Sequence, residues 1–259
     1  MNKFPKISLI TPSFNHAKFI RITIDSILSQ NYPNLEYIVM DGGSIDGTVE
    51  ILKSYGKRIR WISKKDKGQS DAINKGFKIA TGEIVGFINS DDYLAPGSLN
   101  KIAEFFTVNI NAYFVTGKCY VVDENNHEVR EIVTLYKNFF LKFLRSTCLI
   151  YIINYISQPA TFWRKKIMKK VGYFDENLHY SMDYEYWLRL LQYYKLYFID
   201  EYLAYYRVHN ASKAVMSPEN QFQIEYDISR KYTKFPIMLL IHKAHYLLAI
   251  LIYRLFFIK

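Results

Sequence analysis

The 259-residue chain is poor in cysteine, glycine and proline, with 2, 11 and 7 of them respectively. Two thiols, Cys119 and Cys148, are too few for a disulfide framework or a four-cysteine zinc cage, so we expect a reducing compartment. The scarcity of glycine and proline excludes low-complexity and fibrous architectures. The chain is instead 50% hydrophobic and 17% aromatic, which is enough material for one domain with a buried core.

Acidic residues are missing from two long stretches, Ile132 to Phe174 and the part after Asp227, although the whole chain carries a net charge of +10. The bases there are Lys137, Lys142, Arg145, Arg164, Lys165, Lys166, Lys169 and Lys170, then Arg230, Lys231, Lys234, Lys243, Arg254 and Lys259. Because both stretches are also rich in large apolar residues, we expect them to bind an anionic membrane surface. A solvated basic face over core helices is the alternative, and the aliphatic content disfavours nucleic acid.

The C-terminal stretch lacks the uninterrupted run of about 20 apolar residues that a membrane-spanning helix needs. Its longest run is Tyr246 to Tyr253, and histidines and bases interrupt the rest. We therefore predict that residues 236–259 form an amphipathic helix lying on the bilayer, appended to a domain at 1–235. No signal-peptide pattern opens the chain, so we expect a cytoplasmic protein, peripheral on the inner face of the cell membrane.

Short β-branched runs alternate with amphipathic helical patterns over the first 110 residues. The predicted strands are Ile7 to Ile10, Leu35 to Met40, Arg58 to Ile62 and Glu83 to Ile88, and the predicted helices are Phe19 to Ser29, a short one from Thr48, Ser70 to Ala80, and one from Pro96. This alternation predicts an α/β fold with a mostly parallel sheet flanked by helices. The second half is less regular, with helical patterns at Trp163 to Val171 and Asp183 to Tyr194.

Polar clusters follow the predicted strands, where ligands of open α/β sheets bind. The cluster Asn89 to Asp92 offers two adjacent carboxylates with no neighbouring base. Such a pair suits a hard divalent cation that also binds substrate phosphates. Asp-Asp at the start of a helix is also an ordinary capping pattern, so this motif alone does not decide between the two.

Four polar segments in order resemble the motifs of glycosyltransferase family 2, whose members are inverting, nucleotide-sugar-dependent enzymes with the GT-A fold. The segments are Thr11 to Asn15, Asp41 to Thr48, Asp66 to Gly76 and Asn89 to Asp92; Ser157 to Arg164, Gly172 to Asp175, Met182 to Arg189 and Tyr206 to His209 resemble the family's second half. The resemblance implies a nucleotide-sugar-binding half at about 1–110 and an acceptor half at about 111–235.

Carried over to this sequence, the resemblance implies a donor site. The nucleotide-binding residues would be Thr11, Pro12, Asn15, Asp41, Asp46, Asp66, Asp71 and Ser90, with Asp41 pairing with a uracil N–H. Asp91 would hold Mn2+ or Mg2+ against the diphosphate, with Asp92 close by and His209 as a further contact. Asn89 replaces the first acid of the usual Asp-x-Asp, which lowers the charge of this ligand set.

The same resemblance implies that Gln158, Trp163 and Arg207 lie on the acceptor side and that Asp183 is the general base. Capping of its own helix is the alternative role for Asp183. We expect transfer of a sugar from a UDP-sugar to a lipid-linked saccharide, as in assembly of O-antigen, capsule or exopolysaccharide. The alternatives are a non-catalytic nucleotide-sugar-binding domain and a sugar-phosphate nucleotidyltransferase, although the latter should carry a basic glycine-rich loop near the N-terminus.

Overall fold

The computed structural model describes residues 4–144 and 148–256, so Arg145 and Lys259 of the basic stretches lie outside the described residues. The strands are β1 Ile7–Ser13, β2 Leu35–Asp41, β3 Arg60–Ser63, β4 Ile84–Phe87, β5 Tyr93–Leu94, β6 Phe114–Val122, β7 Thr161–Arg164 and β8 Leu196–Arg207. The α-helices are α1 Ile20–Leu28, α2 Thr48–Ser54, α3 Gln69–Ile79, α4 Ser98–Val108, α5 Glu131–Phe143, α6 Met168–Val171, α7 Met182–Leu191, α8 Lys213–Met216, α9 Pro218–Tyr232 and α10 Pro236–Phe256.

One eight-stranded sheet has the order β3-β2-β1-β4-β7-β6-β8-β5. Its first four strands are parallel, as the alternating pattern predicts, and β7 pairs antiparallel with both β4 and β6. The chain leaves β1 for β2 on one side and later returns to β4 on the other side. The carboxyl ends of β1 and β4 therefore border the crevice where ligands of such sheets bind.

The sequence explains why β1 is central. Every residue of Ile7–Ser13 is buried, because the strand lies inside the sheet and helices cover both faces; the buried apolar residues are Ile7, Leu9 and Ile10. On α1 the buried residues Ile20, Ile24 and Ile27 recur at helical spacing and face the sheet. The α/β fold predicted from these patterns is confirmed.

Two predicted helices differ from the observed elements. The helix predicted from Pro96 begins at Ser98, because Gly97 adopts a left-handed conformation (φ 76°) that ends the preceding turn. The run predicted as helical from Trp163 instead starts in β7, and only Met168–Val171 is α-helical. Cross-strand pairing with β4 and β6 outweighs the local helical spacing here.

Trp163 lies in the core and not on the acceptor side, so that prediction is wrong. Its side chain is fully buried and packs against Phe77, Phe174, Tyr186 and Trp187, with ring centroids 5.4 to 6.3 Å away. Residues of β7 alternate between the two faces of the sheet, and Trp163 faces the helices of the second half. A side chain in this position has no access to a substrate.

Only part of the first basic stretch is available to a membrane. Ile150, Ile152 and Ile153 are buried in the core, contrary to their prediction as surface residues. By contrast, α5 exposes a stripe of large apolar side chains at helical spacing. They are Ile132, Leu135, Phe139 and Phe143.

Helix α10 lies beside α5 and also exposes apolar side chains. Tyr136 on α5 is hydrogen-bonded to His245 on α10 (2.9 Å), and the buried His242 bonds the carbonyl of Tyr151 (2.6 Å). The exposed apolar residues of α10 are Ile237, Leu240, Ile241, Leu247, Leu248, Leu251 and Ile252. Among the described helices, none combines the length and the hydropathy needed to cross a membrane.

Replacing Trp163 with alanine should lower the free energy of unfolding by about 3–5 kcal/mol, because the substitution opens a cavity between rings that cannot close around it. Denaturant unfolding of Trp163→Ala against the wild type measures the loss. Tyr193→Ala is a control, since that ring is more than half exposed. Equal stability of the two variants would contradict the buried position.

Candidate active site

An open cleft of about 610 Å³ lies at the carboxyl ends of β1 and β4. Residues of the first half line one part of it: Pro12, Ser13, Phe14, Gly42, Asp66, Asn89, Ser90 and Asp91. The second half contributes Gln158, His179, Tyr180, Ser181, Met182, Asp183, Lys213 and Gln221. Of the predicted site residues, the cleft therefore brings together Pro12, Asp66, Ser90, Asp91, Gln158 and Asp183.

Asp91 and His209 lie together beside the cleft and fit a divalent cation. Oδ2 of Asp91 is 3.1 Å from Nε2 of His209, and both side chains are mostly buried. The His209 ring packs on Phe19 with centroids 4.6 Å apart, which fixes its orientation. One carboxylate and one imidazole suit a hard or borderline metal whose other ligands come from substrate phosphates and water. Among the described residues, no cluster of three or more candidate ligands forms a complete metal site.

Asp92 and Arg207 are structural, which corrects their predicted roles in metal and acceptor binding. Both are fully buried. Oδ1 of Asp92 accepts the backbone N–H of Arg207 (2.9 Å), and Oδ2 accepts the amide of Asn89 (3.1 Å). The Arg207 guanidinium donates to the carbonyl of Asp91 (2.6 Å), so the pair supports the loop after β4 that carries Asp91.

Five predicted nucleotide-binding residues hold the loops and are absent from the cleft lining: Thr11, Asn15, Asp41, Asp46 and Asp71. Asp41 is buried, and its carboxylate accepts two backbone N–H groups and the hydroxyls of Ser44 and Ser63. Three of those contacts fall on Oδ2 and one on Oδ1, so Asp41 fixes the loop after β2, and its pairing with uracil stays a prediction. Asp46 likewise binds the backbone of Ala17 and Thr48.

Three more of these five have structural partners. Asn15 accepts the backbone N–H of Ile45 (2.9 Å), Thr11 accepts the hydroxyl of Tyr37 (3.0 Å), and Asp71 accepts the ammonium of Lys75 (2.7 Å). These contacts fix the loops after β1 and β2 and the first turn of α3.

Asp66 lies in the cleft beside Gly42, in space that a side chain at position 42 would fill. A Cβ built on Gly42 would come within 2.7 Å of the Asp66 carboxylate. The loop after β3 thus delivers this carboxylate to the cleft, where its Oδ1 also accepts the backbone N–H of Gly68 (2.8 Å). Among the described carboxylates of the loops after β2 and β3, Asp66 lines the cleft and Asp46 does not.

Asp183 stands in the first turn of α7 and lines the same cleft. Burial raises the pKa of its carboxyl above the ordinary value, although the N–H of Tyr184 and the nearby charges of Lys137 and Lys213 act in the opposite direction. A carboxylate beside a cleft with a raised pKa is suited to accepting a proton.

The sequence model of glycosyl transferase family 2 matches residues 8–172, which is most of the chain. This chain belongs to glycosyl transferase family 2. It is 31% identical over 209 residues to an uncharacterized glycosyltransferase of Rickettsia typhi, covering 80% of this chain and 65% of the relative.

Two solved structures resemble the fold of this family 2 member. Residues 1–349 of TarS of S. aureus in complex with UDP-GlcNAc have a TM-score of 0.66 at 23% identity, covering 86% of this chain and 65% of that fragment. The mannosyltransferase PcManGT of Pyrobaculum calidifontis, in complex with GDP-Man and Mn2+, has a TM-score of 0.69 at 18% identity, covering 95% of this chain and 70% of its own. The GT-A fold implied by the motifs is thereby confirmed. The chain spans 65% of the Rickettsia relative and 44% of the longer TarS structure.

Several polar residues of this family 2 cleft were not predicted as site residues, and Ser13 and Lys213 are two of them. Ser13 is buried, lines the cleft, and its Oγ has no hydrogen-bond partner among the described residues. Lys213 on α8 donates to Gln69 and to the carbonyl of His179 (both 2.9 Å) and feels the charges of Asp91 and Asp183. Ser13 lies inside a quoted motif, whereas Lys213 follows the last one by four residues.

Substitution of Asp92 should separate its structural role from that of Asp91. Asp92→Ala leaves two buried donors without an acceptor and should lower the free energy of unfolding by about 1–3 kcal/mol. Asp92→Asn keeps one acceptor oxygen and should lower it less, because burial and the charge of Asp91 raise the pKa of Asp92 and favour a neutral group. Denaturant unfolding gives both values, and Asp91→Ala is the control expected to leave stability nearly unchanged. A larger loss for Asp91→Ala would overturn the assignment.

Proposed function

We propose that this protein is an inverting glycosyltransferase that uses a nucleotide-sugar, of which a UDP-sugar is the expected donor. One observation carries the proposal. Asp183 and Asp91 line a single cleft at the carboxyl ends of β1 and β4, and His209 contacts Asp91 beside it. The complex of TarS with UDP-GlcNAc supports a uridine donor, and that of PcManGT with GDP-Man and Mn2+ supports a divalent metal.

Asp183 performs the proton transfer of the reaction. Its carboxylate accepts the proton of the acceptor hydroxyl as the hydroxyl oxygen bonds to the anomeric carbon and the bond to the nucleoside diphosphate breaks. One in-line displacement of this kind inverts the anomeric configuration. Positioned general bases typically contribute about 10²- to 10⁴-fold to such a step.

The negative charge that develops on the diphosphate needs positive partners. Asp91 and His209 would hold the divalent cation, which supplies electrostatic stabilisation of the leaving group when bound. Lys213 is a protein cation of the same cleft, and Ser13, whose hydroxyl has no hydrogen-bond partner among the described residues, lines it as well. Burial lowers the pKa of Lys213, and the carboxylates of Asp183 and Asp91 oppose that shift.

Two rival functions make different use of these residues. A sugar-phosphate nucleotidyltransferase should carry a basic glycine-rich phosphate loop near the N-terminus. The segment Thr11 to Asn15, at the end of β1, contains neither glycine nor a basic residue. A non-catalytic nucleotide-sugar-binding domain would not need a carboxylate at position 183. The behaviour of an Asp183 variant therefore distinguishes an enzyme from a binding module.

Asp183→Asn should abolish sugar transfer and leave donor binding intact, because the amide keeps the size of the side chain and cannot accept the proton. A loss of at least about 10²-fold in kcat is expected. Transfer from the donor and binding of UDP with Mn2+ by calorimetry are measured in parallel. Glu185→Gln, on the same helix but bonded to Arg189, is the control for helix perturbation. Wild-type turnover in Asp183→Asn would refute the base assignment.

The pH profile follows from the direction of the Asp183 shift. The base acts as a carboxylate, so kcat/KM is retained above its pKa and falls as the pH drops through it. Because burial raises that pKa, the acidic limb should lie at higher pH than the value of about 3.9 of an ordinary aspartate. An acidic limb at or below that value would contradict the buried environment.

The acceptor is proposed to be a lipid-linked saccharide, as in surface polysaccharide assembly, with the protein bound peripherally to an anionic membrane. The support is the paired α5 and α10 surface, where exposed aliphatic and aromatic side chains lie near the exposed base Lys243 and where α10 carries no acid. Apolar side chains mixed with bases are typical of helices that lie in the membrane interface.

Replacing two exposed leucines of α10 with glutamine, Leu247→Gln with Leu251→Gln, should reduce sedimentation with phosphatidylglycerol vesicles several-fold, because both side chains are more than half exposed on this surface. Val108→Gln, at the end of α4, with Ile110→Gln, two residues further on, is a control in which both apolar side chains are at least half exposed. Phosphatidylcholine vesicles test the charge requirement. Unchanged sedimentation of the α10 variant would remove the membrane part of the proposal.

A further inference from the structure

The first two turns of α9 reach the cleft beside the proposed base. Gln221 on this helix lines the cleft together with Ser181 and Asp183. Helix α9 spans residues 218–232 and lies beyond both the family match and the quoted motifs. Neither the family match nor those motifs assign a role to this wall of the cleft.

Glu225 lies one turn below Gln221 and is almost fully buried. Its Oε1 accepts three hydrogen bonds, from the side chains of Gln221 (3.3 Å), Ser181 (3.3 Å) and Asn154 (3.4 Å). Two of these donors, Gln221 and Ser181, are themselves at the cleft surface. The buried carboxyl thus joins α9, the start of α7 and the loop before β7 into one polar wall.

The charges that face Glu225 come from two other elements. Asp183 on α7 repels its ionised form, and Lys137 on α5 attracts it. Burial and the charge of Asp183 together raise the pKa of Glu225 to about 7. The phenol of Tyr184 is a further titratable neighbour, and it donates to the carbonyl of Ile150 (2.7 Å).

This wall suits a neutral, hydroxyl-rich ligand better than a phosphate. Two carboxyl groups, Asp183 and Glu225, disfavour an anion there, and the Lys213 ammonium, 5.9 Å from the ring of Tyr180, offsets part of their charge. The Oδ1 of Asn154 is buried and has no hydrogen-bond partner among the described residues. Tyr180 adds an aromatic side chain to the same part of the cleft, a surface on which sugar rings pack.

We propose that the start of α9 forms the acceptor-sugar subsite, in which Gln221 contacts a hydroxyl of the acceptor and Glu225 is the positioning residue that holds Gln221 and Ser181 beside Asp183. This inference rests on the proposed glycosyltransferase function and names where its second substrate binds. The ligand class is a neutral pyranoside, with the hydroxyl to be glycosylated directed at Asp183.

The test measures acceptor binding directly. Octyl β-glycosides of glucose, galactose and N-acetylglucosamine are titrated by ligand-observed NMR against full-length protein saturated with UDP and Mn2+. Gln221→Ala should raise the Kd of the glycosides that bind by about 2- to 10-fold, the effect of one lost hydrogen bond, and leave UDP affinity unchanged. Gln223→Ala, whose exposed side chain on the same helix bonds Asp227 instead, is the matched control and should bind like the wild type.

Glu225 is tested by rescue. Glu225→Ala should weaken glycoside binding as Gln221→Ala does, whereas Glu225→Gln, which retains an acceptor oxygen, should restore it and remove the dependence of binding on pH near 7. If Glu225 had a merely structural role, glycoside binding by the wild type would not depend on pH near 7. Absence of glycoside binding, or equal Kd values for the wild type and Gln221→Ala, would overturn the subsite. Hydrolysis of UDP-sugar by the wild type is measured separately, so that failure of the donor reaction is distinguished from failure of this inference.

Discussion

The buried contact between Asp92 and Arg207 is the constraint on which the cleft depends. It joins the loop after β4, which belongs to the first half, to the end of β8 in the second half. The Arg207 guanidinium lies 5.0 Å from the ring of Phe19 and 5.1 Å from that of Tyr93, and it donates to the Asp91 carbonyl. Because His209 follows two residues later, this one anchor places both Asp91 and His209 beside the cleft.

The donor loops follow the same plan, in which some polar residues build the frame and others face the ligand. The carboxylates of Asp41 and Asp46 accept hydrogen bonds from backbone N–H groups, and these bonds hold the glycine-containing loop in one conformation. Asp66 and Ser13 line the cleft instead, and the buried hydroxyl of Ser13 has no hydrogen-bond partner among the described residues.

The fold class could be predicted from the first hundred residues because hydrophobic periodicity is a local property of the sequence. Ile7 to Ile10 has the pattern of a strand, and the segment after Phe19 has that of an amphipathic helix. The roles of Trp163, Asp92 and Arg207 could not be predicted, since a motif gives the position of a residue in the chain and not the face of the strand on which it lies. Lys213 and Gln221 reach the cleft only through the path of the chain after β8. No short sequence pattern reports such a contact.

We propose that the cleft binds a nucleoside diphosphate through a divalent cation held by Asp91 and His209. The most direct measurement is thermal unfolding of the wild type and Asp91→Asn with UDP, GDP, dTDP or CDP, each with Mn2+ and with chelator, because a ligand that binds the folded state raises the apparent melting temperature. We expect UDP to raise the apparent melting temperature only with Mn2+, and we expect this increase to be lost in Asp91→Asn. Stabilisation by none of the nucleotides, or an equal shift in chelator and in Asp91→Asn, would contradict it.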